Sequence, residues 1–181
     1  MRAPTIALLL LATSLSAAAR VQPQVPASPA KITGFRAETI ADLDDVQEKI
    51  MDLASSVPAE KYGWRPAPGV RSIGEVFMHI AGGNYFLATF VGAQPPSDIP
   101  KDLEKVTDKA QVVAELKKSF DHVRRVVANQ TDADLEKSVN LFGKTTTYRY
   151  VFTTLLNHLH EHLGQSIAYA RMNNVVPPWS R

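Results

Sequence analysis

Apolar residues recur at three- and four-residue intervals along four long stretches of this chain, and that pattern restricts its fold more than any other feature. In the first stretch, about Glu38 to Ser56, they are Ile40, Leu43, Val46, Ile50 and Leu53, with charged residues between them and Pro58 beyond. Ser72 and Glu75 open the second as an S-x-x-E capping box, in which each side chain answers a free backbone N–H of the first turn. That helix continues through VFMHIAGGNYFLATFVG and ends before Pro95-Pro96. The third spans about Asp108 to Asn129, with Val112, Val113, Leu116, Phe120, Val123 and Val127 on its apolar side. The fourth runs from about Tyr148 to Met172; Asn173-Asn174 suit a left-handed terminal turn, and Pro177-Pro178 prevent continuation. No sustained strand alternation competes, so an all-α four-helix bundle is expected. Between the third and fourth helices, TDADLEKSVNLFGKTTT reads as irregular, with room for a short extended piece. Whether it closes over a site or lies away from one is open, as is the order in which the helices pack.

The N-terminal stretch MRAPTIALLLLATSLSAAA has one cation, an apolar run too short to span a bilayer, and small residues at Ala17 and Ala19. Residues 1–19 are therefore expected to be a cleaved signal peptide, and the proline-rich residues 20–34 a flexible leader before a domain over 35–181. The mature protein would be exported, periplasmic or secreted, with no membrane attachment after cleavage. The chain contains no cysteine, which removes disulfides, thiolate ligands and thiol nucleophiles together. A formal charge of +2, evenly spread, argues against a nucleic-acid partner.

Three of the five histidines fall in one short segment, NHLHEHLGQ at residues 157–165. Residues four apart lie almost above one another on an α-helix, so His158 and His162 can offer two imidazoles to one ion, while His160 points elsewhere. A metal needs a third ligand, and His79 on the second helix is the candidate. A lone histidine among Phe77, Met78 and Ile80 is also commonly a hydrogen-bonded core residue. Gly82-Gly83, one turn on, implies a close approach to the backbone, since each helical glycine costs about 1 kcal/mol relative to alanine. Either another helix or a bound molecule would explain it. Three imidazoles without a fourth protein ligand make a catalytic type of site that suits zinc, nickel, copper or iron. Glu161 and Gln165 share the His158 stripe and are candidates to orient water or substrate. Trp64, Tyr85 and Tyr169 are equally readable as pocket walls or core. The string His158-x-x-Glu161-His162 matches the inverted zinc-protease pattern, but no glutamate follows Glu161 to complete it. His122, among charged neighbours, is expected at the surface.

YGWRPAPGVRSIGEVFMHIAGGNYFL and HLHEHLGQSIAYARMNNVVPP together resemble the DinB/YfiT-like family, with His79, His158 and His162 in its three histidine positions. The likeness extends over about Phe35 to Pro178. It implies a four-helix bundle, a histidine-bound divalent metal (Zn²⁺ or Ni²⁺ first) and frequent dimers. With export, this leads to a metal-dependent hydrolase of a small molecule. The alternatives are a metal-dependent thiol-S-transferase, like the family's characterised members, and a non-catalytic binding or stress protein whose metal staples the bundle.

Overall fold

A computed structural model describes residues 31–180. The expected signal peptide and most of the expected leader lie outside the described residues. Four long helices form the bundle: α1 (Gly34–Ser56), α2 (Ile73–Thr89), α3 (Lys109–Asn129) and α5 (Tyr148–Met172). Between α3 and α5 come a single-turn helix, α4 (Asp132–Leu135), and a two-stranded antiparallel hairpin, β1 (Ser138–Leu141) and β2 (Lys144–Thr147). The extended piece foreseen in that stretch is thus a complete hairpin. Its loop is Phe142-Gly143, with φ of +52° and +86°. Two positive φ values in a two-residue loop give the mirror-image turn whose twist matches paired strands.

Each helix boundary has a local cause. The capping box at α2 is present in both directions: Ser72 N–H donates to Glu75 Oε2 at 2.6 Å and Glu75 N–H to Ser72 Oγ at 3.3 Å. The side chains of Asp108 and Thr147 cap α3 and α5 in the same sense. At the far end of α5, Asn174 takes a φ of +59°, and Val175 N–H returns to Ala170 C=O at 2.9 Å. That turn satisfies a carbonyl the helix leaves free and tucks Val175 into the core. Helix α1 begins at Gly34, one turn before the expected Glu38.

α1 packs against α3 and α5, and α2 packs against the same two helices. Consecutive helices α1 and α2 therefore stand on a diagonal, unlike the neighbours of a simple up-down bundle. The connection from Val57 to Ser72 makes this crossing. Within it Tyr62 is buried, donates from its hydroxyl to Ala54 C=O at 2.7 Å, and lies against Gly74. The core between the helices holds Leu43, Ile50, Phe77, Ile80, Leu116, Phe120, Phe152, Leu155 and Leu159, all fully buried. α2 is buried along most of its circumference, which places His79 at the seam with α5 and not on an outer surface. Among the described residues no helix is long and apolar enough to cross a membrane.

His122 corrects the sequence expectation. It is only 7% exposed, and its ring lies against Tyr85 at 5.4 Å between centroids. Its charged neighbours in the chain misled, because on a helix residue 122 shares the face of Ser119 and Val126, both buried against the bundle. His160 is exposed and lies away from the other two histidines of its segment, as its helix position implied.

Candidate metal centre

His79 from α2 and His158 and His162 from α5 converge. One ring nitrogen from each lies within 4.8 Å of the others. Ring centroids are 5.2 Å apart for His79–His158, 4.7 Å for His79–His162 and 4.5 Å for His158–His162. The Nε2 atoms of His79 and His158 are 3.3 Å apart. Two ligands about 2.0–2.1 Å from one tetrahedral ion stand about 3.4 Å from each other, so this spacing fits a shared metal.

The groups behind the rings decide which nitrogens face inward. Glu104 Oε1 lies 3.0 Å from His79 Nδ1, and a carboxylate there draws the ring proton to Nδ1 and leaves Nε2 with its lone pair. Gln165 Oε1, 2.8 Å from His162 Nδ1, does the same for that ring. Gln165 is fixed in turn, since its Nε2 donates to the Tyr169 hydroxyl at 3.1 Å. Tyr169 is buried with the Trp64 ring edge-on at 5.5 Å. His158 differs: its Nδ1 is buried without a hydrogen-bond partner. No side chain therefore fixes the tautomer of this ring, in contrast to His79 and His162, and a buried polar atom without a partner costs about 1–3 kcal/mol.

The electrostatics favour neutral rings. Burial, reinforced by the neighbouring His162 and His79 rings and Arg71, holds His158 down to about 4. Burial and the Arg71 cation also lower His79, against the opposing pull of Glu104. Burial pushes the Glu104 carboxyl up, but hydrogen bonds from Arg71 and His79 outweigh it and keep the group below the usual carboxylate range. Near neutral pH His79 and His158 therefore present lone pairs, while Glu104 presents charge.

Gly83 makes the convergence possible. A Cβ there would lie 2.3 Å from His158 Cε1, so the close approach implied by the glycine pair is the approach of a ligand ring. Gly82 is different, because a Cβ would meet only Leu103 Cδ1 at 3.7 Å.

Of the other residues singled out in the sequence, Gln165 and Tyr169 belong to the site's support and Trp64 backs them. Tyr85 does not join them: its hydroxyl donates to Glu115 on α3 at 2.8 Å. Glu161 is exposed to solvent on α5. Sequence reasoning missed Glu104 and Arg71. Glu104 sits in a 3-10 turn (Leu103–Lys105) between α2 and α3, and Arg71 precedes the α2 cap and pairs with Glu104 at 3.1 Å. Their chain neighbours read as a charged loop and carry no local sign of a histidine partner.

A four-helix bundle carrying three convergent imidazoles on two helices defines a class of histidine metal-site bundle proteins. The DinB superfamily model matches residues 42–166, most of the chain, and the protein belongs to that superfamily. No curated protein matches it. Among solved structures, a DinB-like protein from Bacillus cereus is similar with a TM-score of 0.66 and 19% identity, over 78% of this chain and 95% of that one. A DinB-like protein from Bacillus subtilis gives 0.63 and 18%, over 80% and 98%. YfiT from Bacillus subtilis, described as a probable metal-dependent hydrolase with an unusual four-helix bundle topology, gives 0.62 and 16%, over 81% and 92%. At these identities the likeness establishes the shared fold.

Proposed function

We propose that the protein is an exported metal-dependent hydrolase of a small molecule, with a divalent ion held by His79, His158 and His162. The 3.3 Å separation of the two Nε2 atoms, each from a different helix, carries this reading. A divalent ion there supplies Lewis acidity, enough to activate a water or polarise a substrate oxygen near neutral pH. The protein's own contributions are positional. Glu104 holds His79 by its Nδ1, Gln165 and Tyr169 hold His162, and Gly83 leaves room for His158. Glu161, exposed and adjacent in sequence to His162, is the proposed proton acceptor, while Glu75 and Glu104 are the carboxylates that line the neighbouring polar depression. YfiT's description as a probable metal-dependent hydrolase points the same way.

The test is metal analysis of purified protein beside His79→Ala, followed by a panel of ester, amide and phosphoester substrates. One bound ion per chain, lost in the variant, with hydrolysis abolished by chelation and restored by zinc or nickel, is expected. Metal uptake without turnover of any substrate would leave a metal-stapled binding protein. Equal metal content in wild type and variant would remove the site itself.

A further inference from the structure

A cavity of about 410 Å³ opens beside the triad, between α2, α5 and the hairpin tip. His79 and His158 are part of its lining, together with Gly83, Leu87, Phe86 and Phe142. The Thr154 hydroxyl also reaches this lining, but it donates to Tyr150 C=O at 2.9 Å. Apart from the two imidazoles, the walls therefore offer carbon. A separate depression is polar, with Arg65, Arg71, Glu75, Glu104 and Gln165 around it, two of them behind ligand rings.

The hairpin tip adds an independent sign. Phe142 occupies the first position of the tight turn at φ +52°, where the Cβ crowds the following carbonyl oxygen and Asn, Asp or Gly is the usual choice. Its ring is nevertheless 64% exposed, so core burial does not account for it. It stacks at 6.2 Å on Phe86, itself 53% exposed, and meets Phe90 edge-on at 5.5 Å. Backbone strain at an exposed aromatic residue beside a reactive centre is the pattern of a built ligand contact.

The geometry points to an apolar substrate subsite: Phe86 and Phe142 grip an aryl or branched alkyl substituent whose reacting, oxygen-bearing end lies at His79 and His158. This rests on the metal-site reading above, and it names the substrate class as small hydrophobic esters, amides or related acyl compounds. Phe142 and Phe86 are its specificity-determining residues. A second copy of the chain is the rival occupant of so exposed an aromatic patch; the two imidazoles in the same cavity lining favour a ligand.

Two hydroxamates that share a metal-binding head and differ in their apolar part separate these outcomes. The full chain, loaded with zinc, is titrated calorimetrically with acetohydroxamate and benzohydroxamate. Benzohydroxamate should bind about tenfold tighter or more, as expected for burial of a phenyl group. Phe142→Asn should remove most of that preference and leave acetohydroxamate affinity unchanged. Equal affinities, binding of neither probe, or a preference that survives both Phe142→Asn and Phe86→Ser overturns the subsite. So does a dimer, seen by sedimentation, that Phe142→Asn dissociates without any probe preference in either state. If the chain takes up neither zinc nor nickel, the metal reading fails by itself, and an amide NMR titration with benzyl alcohol decides the subsite. Shifts centred on Gly83 and Phe142 support it; shifts elsewhere, or none, overturn it.

Discussion

The imidazole of His158 lies so close over the backbone of Gly83 that a Cβ at 83 would sit 2.3 Å from its Cε1. Alanine is the better helix former by about 1 kcal/mol, so in open space Gly83→Ala would stabilise α2. Here the methyl must displace the ring, because the atom it meets belongs to a partly buried side chain with little freedom. Gly83→Ala should therefore lower metal affinity by at least about tenfold, the scale seen when a ligand's positioning is disturbed. Gly82→Ala meets only ordinary contact and should keep full metal content while raising stability by up to about 1 kcal/mol. Metal titration and thermal melts of the two variants side by side check this; similar behaviour of both would refute the account.

The glycine pair also shows how far the sequence could be read. Two adjacent helical glycines signalled a close approach, yet only three-dimensional placement distinguishes the one under a ligand ring from the one beside Leu103. Local signals were enough for the four helices, since apolar period, the Ser72–Glu75 box and Asn174 each act within a few residues. The histidine triad was legible because two members share one helix face and the glycine pair one turn beyond His79 marked a close approach on the second helix. Glu104 was not, because its meaning depends on a loop 25 residues beyond His79 folding back against α2. The hairpin was obscured by Phe-Gly standing where Asn-Gly would have announced the turn. His122 was misplaced because chain neighbours were weighed above helix face.

Glu104 should behave as a support of His79 and not as a replaceable surface acid. Glu104→Gln keeps the shape and an oxygen near Nδ1 but removes the charge that raises the ring's basicity and the pair with Arg71. Losing a carboxylate behind a ligating histidine typically costs about 10–100-fold in metal affinity. Competition with a chelator should show a loss in that range, with melting of the metal-free variant within about 1 kcal/mol of wild type, because the ion pair is largely exposed. Unchanged affinity would separate Glu104 from the site.

His122 gives the metal-free bundle an acid-sensitive element. Burial first, and then the Arg125 charge, hold it below its ordinary pKa of 6.5, and its Nε2 is buried without a partner beside Tyr85. Above about 6.5 the ring is neutral folded and unfolded, and stability does not depend on it. As pH falls below 6.5 the unfolded chain takes the proton while the folded one resists, so the unfolded state binds more protons and stability falls. His79 and His158 act with the same sign. The urea midpoint of metal-free protein should thus drop between pH 7.5 and 5, and His122→Leu should drop less. A midpoint that rises on acidification, or an identical fall in both proteins, would contradict this.

Phe142 poses a balance that one substitution can read. Asparagine tolerates the left-handed turn position better than phenylalanine, a relief of about 1 kcal/mol where a side chain otherwise crowds the carbonyl. Against that, Phe142→Asn gives up ring contacts with Phe86 and Phe90, each of a kind worth about 0.5–1.5 kcal/mol when well packed and less at 64% exposure. The two effects nearly cancel, so the variant should unfold within about 0.5 kcal/mol of wild type in urea, even though it removes the largest side chain of the hairpin. A loss of about 2 kcal/mol or more would mean that the ring is structural. Near-neutrality would mean that stability alone does not hold phenylalanine at this strained turn.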